Sequence, residues 1–215
     1  CKKNRYEISD VINNSVSGAS YSIDGSMGNP RFTTYLNTTA LPPDLDVIMV
    51  FGGTNDYSQS RKLGTVSDAP STENSVSFCS AVKATLDYIT TNFPNAEIVY
   101  MTPIPRWSQT GTLLTDENGN YYWQDMVGEA EYNPKNKIGF QLIDYVNAIK
   151  QLCSSYSNVK VCDMYSTSHM NMGSMDFKLK YAPDGLHPNK EGTEIYVNND
   201  LFPFLDKIWL QKEYI

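Results

Sequence analysis

The clearest hydrophobic feature of the chain is the unbroken run Val47-Ile48-Met49-Val50-Phe51, which stops at Gly52-Gly53. Apolar residues at every position, rather than at alternate ones, mark a strand buried on both faces, so this run predicts a central strand of a parallel sheet. Ile98 to Met101, stopped by Pro103, and Val159 to Cys162, stopped by Asp163, repeat the pattern more weakly. Val11, Ile12 and Val16 suggest a shorter strand ending at Ser17-Gly18. Between these runs the period changes. Phe78, Val82, Leu86, Ile89 and Phe93 recur at spacings of three and four, which lines them along one face of an amphipathic helix. Leu142, Val146, Ile149 and Cys153 repeat that spacing, as do Ile195, Leu201, Leu205 and Ile208, where Pro203 is expected to kink or split the helix.

Strands alternating with amphipathic helices predict an α/β fold, a parallel sheet layered between helices, and 215 residues suit one domain over 1–215. Two stretches resist this scheme. Residues 104–133 carry Trp107, Tyr121, Tyr122 and Trp123 around Asn118-Gly119, a dipeptide that favours a tight hairpin turn. Residues 164–183, with Met170, Met172 and Met175, read as irregular.

Charge and composition narrow the function. Lys+Arg 17 against Asp+Glu 24 gives a net charge of -7 with no dense basic cluster, which argues against a nucleic-acid partner. No run reaches the roughly 18–20 apolar residues of a transmembrane span. The scattered Cys1, Cys79, Cys153 and Cys162 have no zinc-site spacing and read as buried thiols. With His169 and His187 as the sole histidines, a multi-histidine metal site is impossible, and imidazole chemistry falls to one of the two.

Ligands of an open parallel sheet bind beyond the carboxyl ends of its strands, so the turns there are the candidate site. In Asp184-Gly185-Leu186-His187-Pro188, a carboxylate three residues before an imidazole can accept its Nδ1 hydrogen and leave Nε2 as a base, with Pro188 read as the first residue of a helix. In Gly52-Gly53-Thr54-Asn55-Asp56, the glycines allow a tight turn and the Asn55 amide can donate to an oxyanion. Gly18 can offer a backbone N–H to the same oxygen. Each pattern also occurs as plain turn chemistry, and Trp107, Tyr121, Tyr122 and Trp123 fit either a stacking platform for sugar rings or the packing of a hairpin.

Together these residues resemble the SGNH/GDSL hydrolases. Gly53-Thr54-Asn55-Asp56 matches that family's G-x-N-D block, Asp184 to Pro188 its D-x-x-H-P block, and Ser17-Gly18-Ala19-Ser20 is similar to its glycine block. The resemblance implies a flavodoxin-like, three-layer α/β/α fold with a five-stranded parallel sheet. It also implies a serine esterase or lipase that needs no metal or organic cofactor. His187 would be the general base, Asp184 its orienting acid, and Gly18 and Asn55 the oxyanion donors. The substrate would be a small-molecule, lipid or carbohydrate ester. The family's G-D-S block, which carries the nucleophile, occurs nowhere in the chain. Asp24-Gly25-Ser26 is a rearranged echo, and Ser17, Ser20 and Ser22 lie near Gly18 without a nucleophile elbow. The expectation is that the domain is N-terminally incomplete here, with a strand and the serine encoded before Cys1. The alternative is a non-catalytic glycan-binding module derived from a hydrolase that lost its nucleophile.

Overall fold

The structure, a computed structural model, describes residues 8–22, 32, 41–108, 112–115, 117, 121–124 and 131–210, with the backbone alone at 112–115, 121–124 and 210. Three strands form a parallel sheet in the order β1 (Val47–Phe51), β2 (Glu97–Met101) and β5 (Val159–Cys162). The register pairs Val50 with Tyr100 and Tyr100 with Val161, so all three strands end at the same rim. These are the three runs that the hydrophobic pattern predicts, but among the described residues β2, not β1, is the central strand, and Met49 and Phe51 of β1 are exposed rather than buried.

Side chains of β2 alternate between two cores. Ile98 and Tyr100 face one cluster together with Val50, Val159 and the apolar stripes of helices α2 (Phe78–Asn92) and α3 (Leu142–Cys153). Val99 and Met101 face the other, with Cys162, Met164, Leu201 and Leu205. A parallel sheet with helices packed on both sides, and with its middle strand β2 buried on both faces, is the α/β/α architecture expected for this sequence. Each long helix starts on a polar cap. The Ser77 hydroxyl accepts from the N–H of Ser80, and Gln141 and Asp144 form a reciprocal capping box.

The last helical region is broken where Pro203 predicts. Helix α5 (Lys190–Tyr196) runs into a π-helical turn (Val197–Leu201), which leads into α6 (Phe202–Leu210). Proline has no N–H to donate, and its ring crowds the carbonyl four residues back; a widened turn relieves both. Strands β3 (Thr112–Thr115) and β4 (Tyr121–Gln124) pair antiparallel, as a hairpin around 118–119 requires. Asn118 and Gly119 themselves lie outside the described residues, as do Cys1 and Asp24-Gly25-Ser26.

Two expectations are corrected. Residues 11–16 form no strand, and Val11 and Ile12 are exposed, so these apolar residues lack the burial that a strand core would give them. Residues 164–183 are not irregular throughout, because α4 (Met175–Tyr181) lies within them, capped by the Ser174 hydroxyl accepting from Phe177 N–H.

Candidate functional site

The turn after β1 is made by two glycines for different reasons. Gly53 has φ 109°, a left-handed conformation that a side chain would strain. A Cβ on Gly52 would come within 2.6 Å of the Phe32 ring. Helix α1 (Thr54–Ser58) starts at once and carries Asn55 and Asp56. Both side chains reach the segment around Gly18. Asn55 Nδ2 donates to the carbonyl of Ala19 at 2.8 Å, which leaves its second amide hydrogen for another acceptor. Asp56 is fully buried and accepts from the N–H of Tyr21 at 3.0 Å, the N–H of Ser22 at 3.0 Å and the Ser22 hydroxyl at 2.7 Å. Burial pushes its carboxyl above the usual range despite these hydrogen bonds. Gly18, with φ 75°, lies in the turn just ahead of that anchored stretch. Ser20 and Ser22 are buried, and Ser22 is committed to Asp56.

The second turn follows α4. Asp184 Oδ1 accepts from the N–H groups of Leu186 and His187, at 2.8 and 2.6 Å, while Oδ2 lies 2.5 Å from His187 Nδ1. The carboxylate therefore fixes both the backbone of the turn and the orientation of the imidazole. Its side chain is 6% exposed and that of His187 is 73% exposed, so a buried acid presents an open base. Burial raises the Asp184 carboxyl, but hydrogen bonds from His187 and Leu186 outweigh it and the net shift is downward. The same hydrogen bond raises His187, against opposing effects of partial burial and of Arg106. Gly185 makes the turn possible, since its φ is 77° and a Cβ there would meet that of Trp107 at 2.8 Å. Pro188 is not the first helical residue as expected. Asn189 is the cap, its side chain accepting from Gly192 N–H at 2.9 Å, and α5 begins one residue later.

The two turns are linked through the segment that leaves β2. Trp107 N–H donates to the Gly185 carbonyl at 2.9 Å, and the guanidinium of the preceding Arg106 donates to Thr54 Oγ1 at 3.2 Å. A chain of contacts thus runs from Gly18-Ala19 through Asn55 and Thr54 to Arg106, Trp107 and the His187 turn. His169 also pairs with a carboxylate, Asp200, at 2.5 Å, so a paired acid by itself does not single out His187; the linkage to Asn55 does.

Trp107 is buried, stacks in a tilted contact with Tyr132 and donates its indole N–H to the Met172 carbonyl, so it packs beneath the turn. Met170 and Met172 pack in the same core. The side chains of Tyr121, Tyr122 and Trp123 lie outside the described residues. Arg106 and Asp56 carry no role in the sequence reading. Asp56 stands inside a quoted motif. Arg106 had one available signal, a cation five residues past the carboxyl end of a buried strand.

Comparison with known proteins identifies the family and the fold. A model of the GDSL-like Lipase/Acylhydrolase family matches residues 3–195. The crystal structure of a protein from Lactobacillus plantarum is 26% identical with a TM-score of 0.69, covering 95% of this chain and 85% of that one. A structure from Streptococcus pneumonia, 16% identical with a TM-score of 0.51, covers 92% of this chain and 85% of its own, and shares the fold. No curated protein matches. The chain belongs to the GDSL-like lipase/acylhydrolase family, a family of ester hydrolases.

Proposed function

We propose that this site serves acyl transfer from a carboxylic ester, with His187 as general base. The observation that carries the reading is the buried Asp184 holding an exposed His187 by Nδ1, which leaves Nε2 free to take a proton. A serine hydroxyl gives its proton to Nε2 and its oxygen attacks the ester carbonyl. The N–H of Gly18 and the second amide hydrogen of Asn55 stabilise the oxyanion. The imidazolium then protonates the leaving alcohol, and water, activated by the same base, releases the acid. None of these steps requires a metal or an organic cofactor. The aromatic sequence Tyr121-Tyr122-Trp123 supports a carbohydrate ester as the substrate class, since aromatic rings stack on sugars.

Hydrolysis of a short p-nitrophenyl ester by protein from its natural source tests the reading. Asn55→Ala is expected to lower turnover about 10²- to 10³-fold. His187→Ala should lower it at least as far while the protein remains folded. Near-normal turnover in His187→Ala would remove the assignment. A second reading, a glycan-binding module without turnover, draws on the missing G-D-S block and the burial of Ser20 and Ser22. Labelling by a fluorophosphonate probe supports the enzyme, whereas absence of labelling with measurable glycan affinity supports the module.

A further inference from the structure

Arg106 follows the strand end Met101 after Thr102-Pro103-Ile104-Pro105 and is 6% exposed. A guanidinium removed from water is costly unless its donors and its charge are satisfied. Among the described residues the ion pairs are Lys150–Asp163, His169–Asp200 and His187–Asp184, and none involves Arg106. Its neighbours are instead groups of the candidate site. Nη1 donates to Thr54 Oγ1 at 3.2 Å, Nε to the Trp107 carbonyl at 3.4 Å, and the guanidinium carbon stands 5.8 Å from the centre of the Tyr57 ring.

The backbone of Arg106 is held as firmly as its side chain. Its N–H donates to Asn133 Oδ1 at 3.2 Å and its carbonyl accepts from Asn133 N–H at 2.8 Å. Asn133 itself sits at φ 49°, a left-handed conformation that asparagine tolerates better than most side chains. One residue further on, Trp107 N–H holds Gly185, in the middle of the His187 turn. The cation is therefore fixed from three sides, and it bridges two turns that are distant in sequence.

We propose that Arg106 is a positioning residue of this site, joining the turn that carries Asn55 to the turn that carries His187 and holding a fixed positive charge between them. The charged groups that act electrostatically on this imidazole are Asp184 from its own turn and Arg106 beyond the end of β2, and Asp184 acts on Arg106 as well. Lys178 of α4 acts on Asp184, and Tyr57 of α1 lies against Arg106. Asp184 favours the imidazolium and Arg106 opposes it, so Arg106 keeps the base from being over-protonated by its own orienting acid.

The catalytic meaning of this assignment rests on the ester-hydrolase reading, but its test does not. With two histidines in the chain, the ring Cε1–H signals of His187 and His169 can be followed by NMR across pH, and His169→Gln assigns them. Arg106→Gln keeps a donor for Thr54 and removes the charge. It is expected to raise the His187 midpoint by about half a pH unit, roughly a threefold gain in proton affinity, with His169 unmoved. Arg106→Lys keeps the charge and loses the planar fork. It should leave the midpoint near wild type while shifting the Asn55 side-chain amide signals. An unmoved His187 midpoint in Arg106→Gln, or an equal rise in Arg106→Lys, overturns the proposal. If Arg106→Gln does not fold, Arg106→Lys decides alone: a raised midpoint overturns the proposal, and an unmoved midpoint with shifted amide signals supports it. Failure of the ester-hydrolase reading would appear separately, as absence of turnover with these titrations intact.

Discussion

At His187 opposite influences meet: the Asp184 hydrogen bond raises its affinity for a proton, and partial burial and Arg106 lower it, with a net rise. Because a general base must be neutral, the acid limb of the pH–rate profile is expected above the ordinary imidazole value of about 6.5. The same shifts set a stability window. A raised His187 contributes fully below about 6.5 and loses its contribution as pH climbs through the folded value. A lowered Asp184 contributes above about 3.9 and loses it as pH falls through its own folded value. The pair is thus strongest between those limits. Urea midpoints of wild type and Asp184→Asn should differ more at pH 5.5 than at pH 8.5, and a gap that is equal or wider at pH 8.5 would refute the pairing as a titrating unit.

Elements were legible where burial wrote a period. Ile98 to Met101 is apolar because both faces of β2 are covered, and the stripe from Phe78 to Phe93 is apolar because one face of its helix is; Val47–Phe51 is equally apolar although Met49 and Phe51 are exposed. Short elements leave no such trace. Helix α1 spans barely more than one turn and hides in Gly-Gly-Thr-Asn-Asp, which reads as turn chemistry. Helix α4 is seven residues with buried Lys178 and exposed Leu179, the reverse of what polarity suggests. The turn after α4 depends on Gly185, where both the left-handed backbone and the proximity of Trp107 exclude a side chain. Gly185→Ala is expected to cost about 1–3 kcal/mol in chemical denaturation, and a neutral effect would show that the turn has room to relax.

In the whole molecule the motifs marked where the site lies, but the fold decides what holds it together. Asn55, Asp184 and His187 were readable because their neighbours, glycines and a proline, are typical of tight turns. The roles of Arg106 and Asp56 were not, because each depends on partners distant in sequence: Thr54 and Asn133 for one, Tyr21 and Ser22 for the other. Asp56 ties the 18–22 segment to the sheet. In Asp56→Ala, two backbone N–H groups and a hydroxyl lose their acceptor, each at about 1–3 kcal/mol if it stays buried. Hydrogen exchange should speed up sharply at Tyr21 and Ser22 and little in α3. Uniform acceleration across both would mean that Asp56 supports the core at large rather than this segment.

The loop bearing the base is closed at its neck. Asn189 N–H donates to the Tyr181 carbonyl, and its Nδ2 to that of Lys180, so residues 182–188 leave one helix and enter the next through a single stitched opening. A Cβ on Gly192 would come 2.4 Å from the same Tyr181 oxygen, which seals the neck sterically as well. Such a loop is compact, with its two ends held together. A ligand that holds the imidazole is expected to steady the last turn of α4 as well, through Asn189, which slower amide exchange at Tyr181 and Ala182 would reveal.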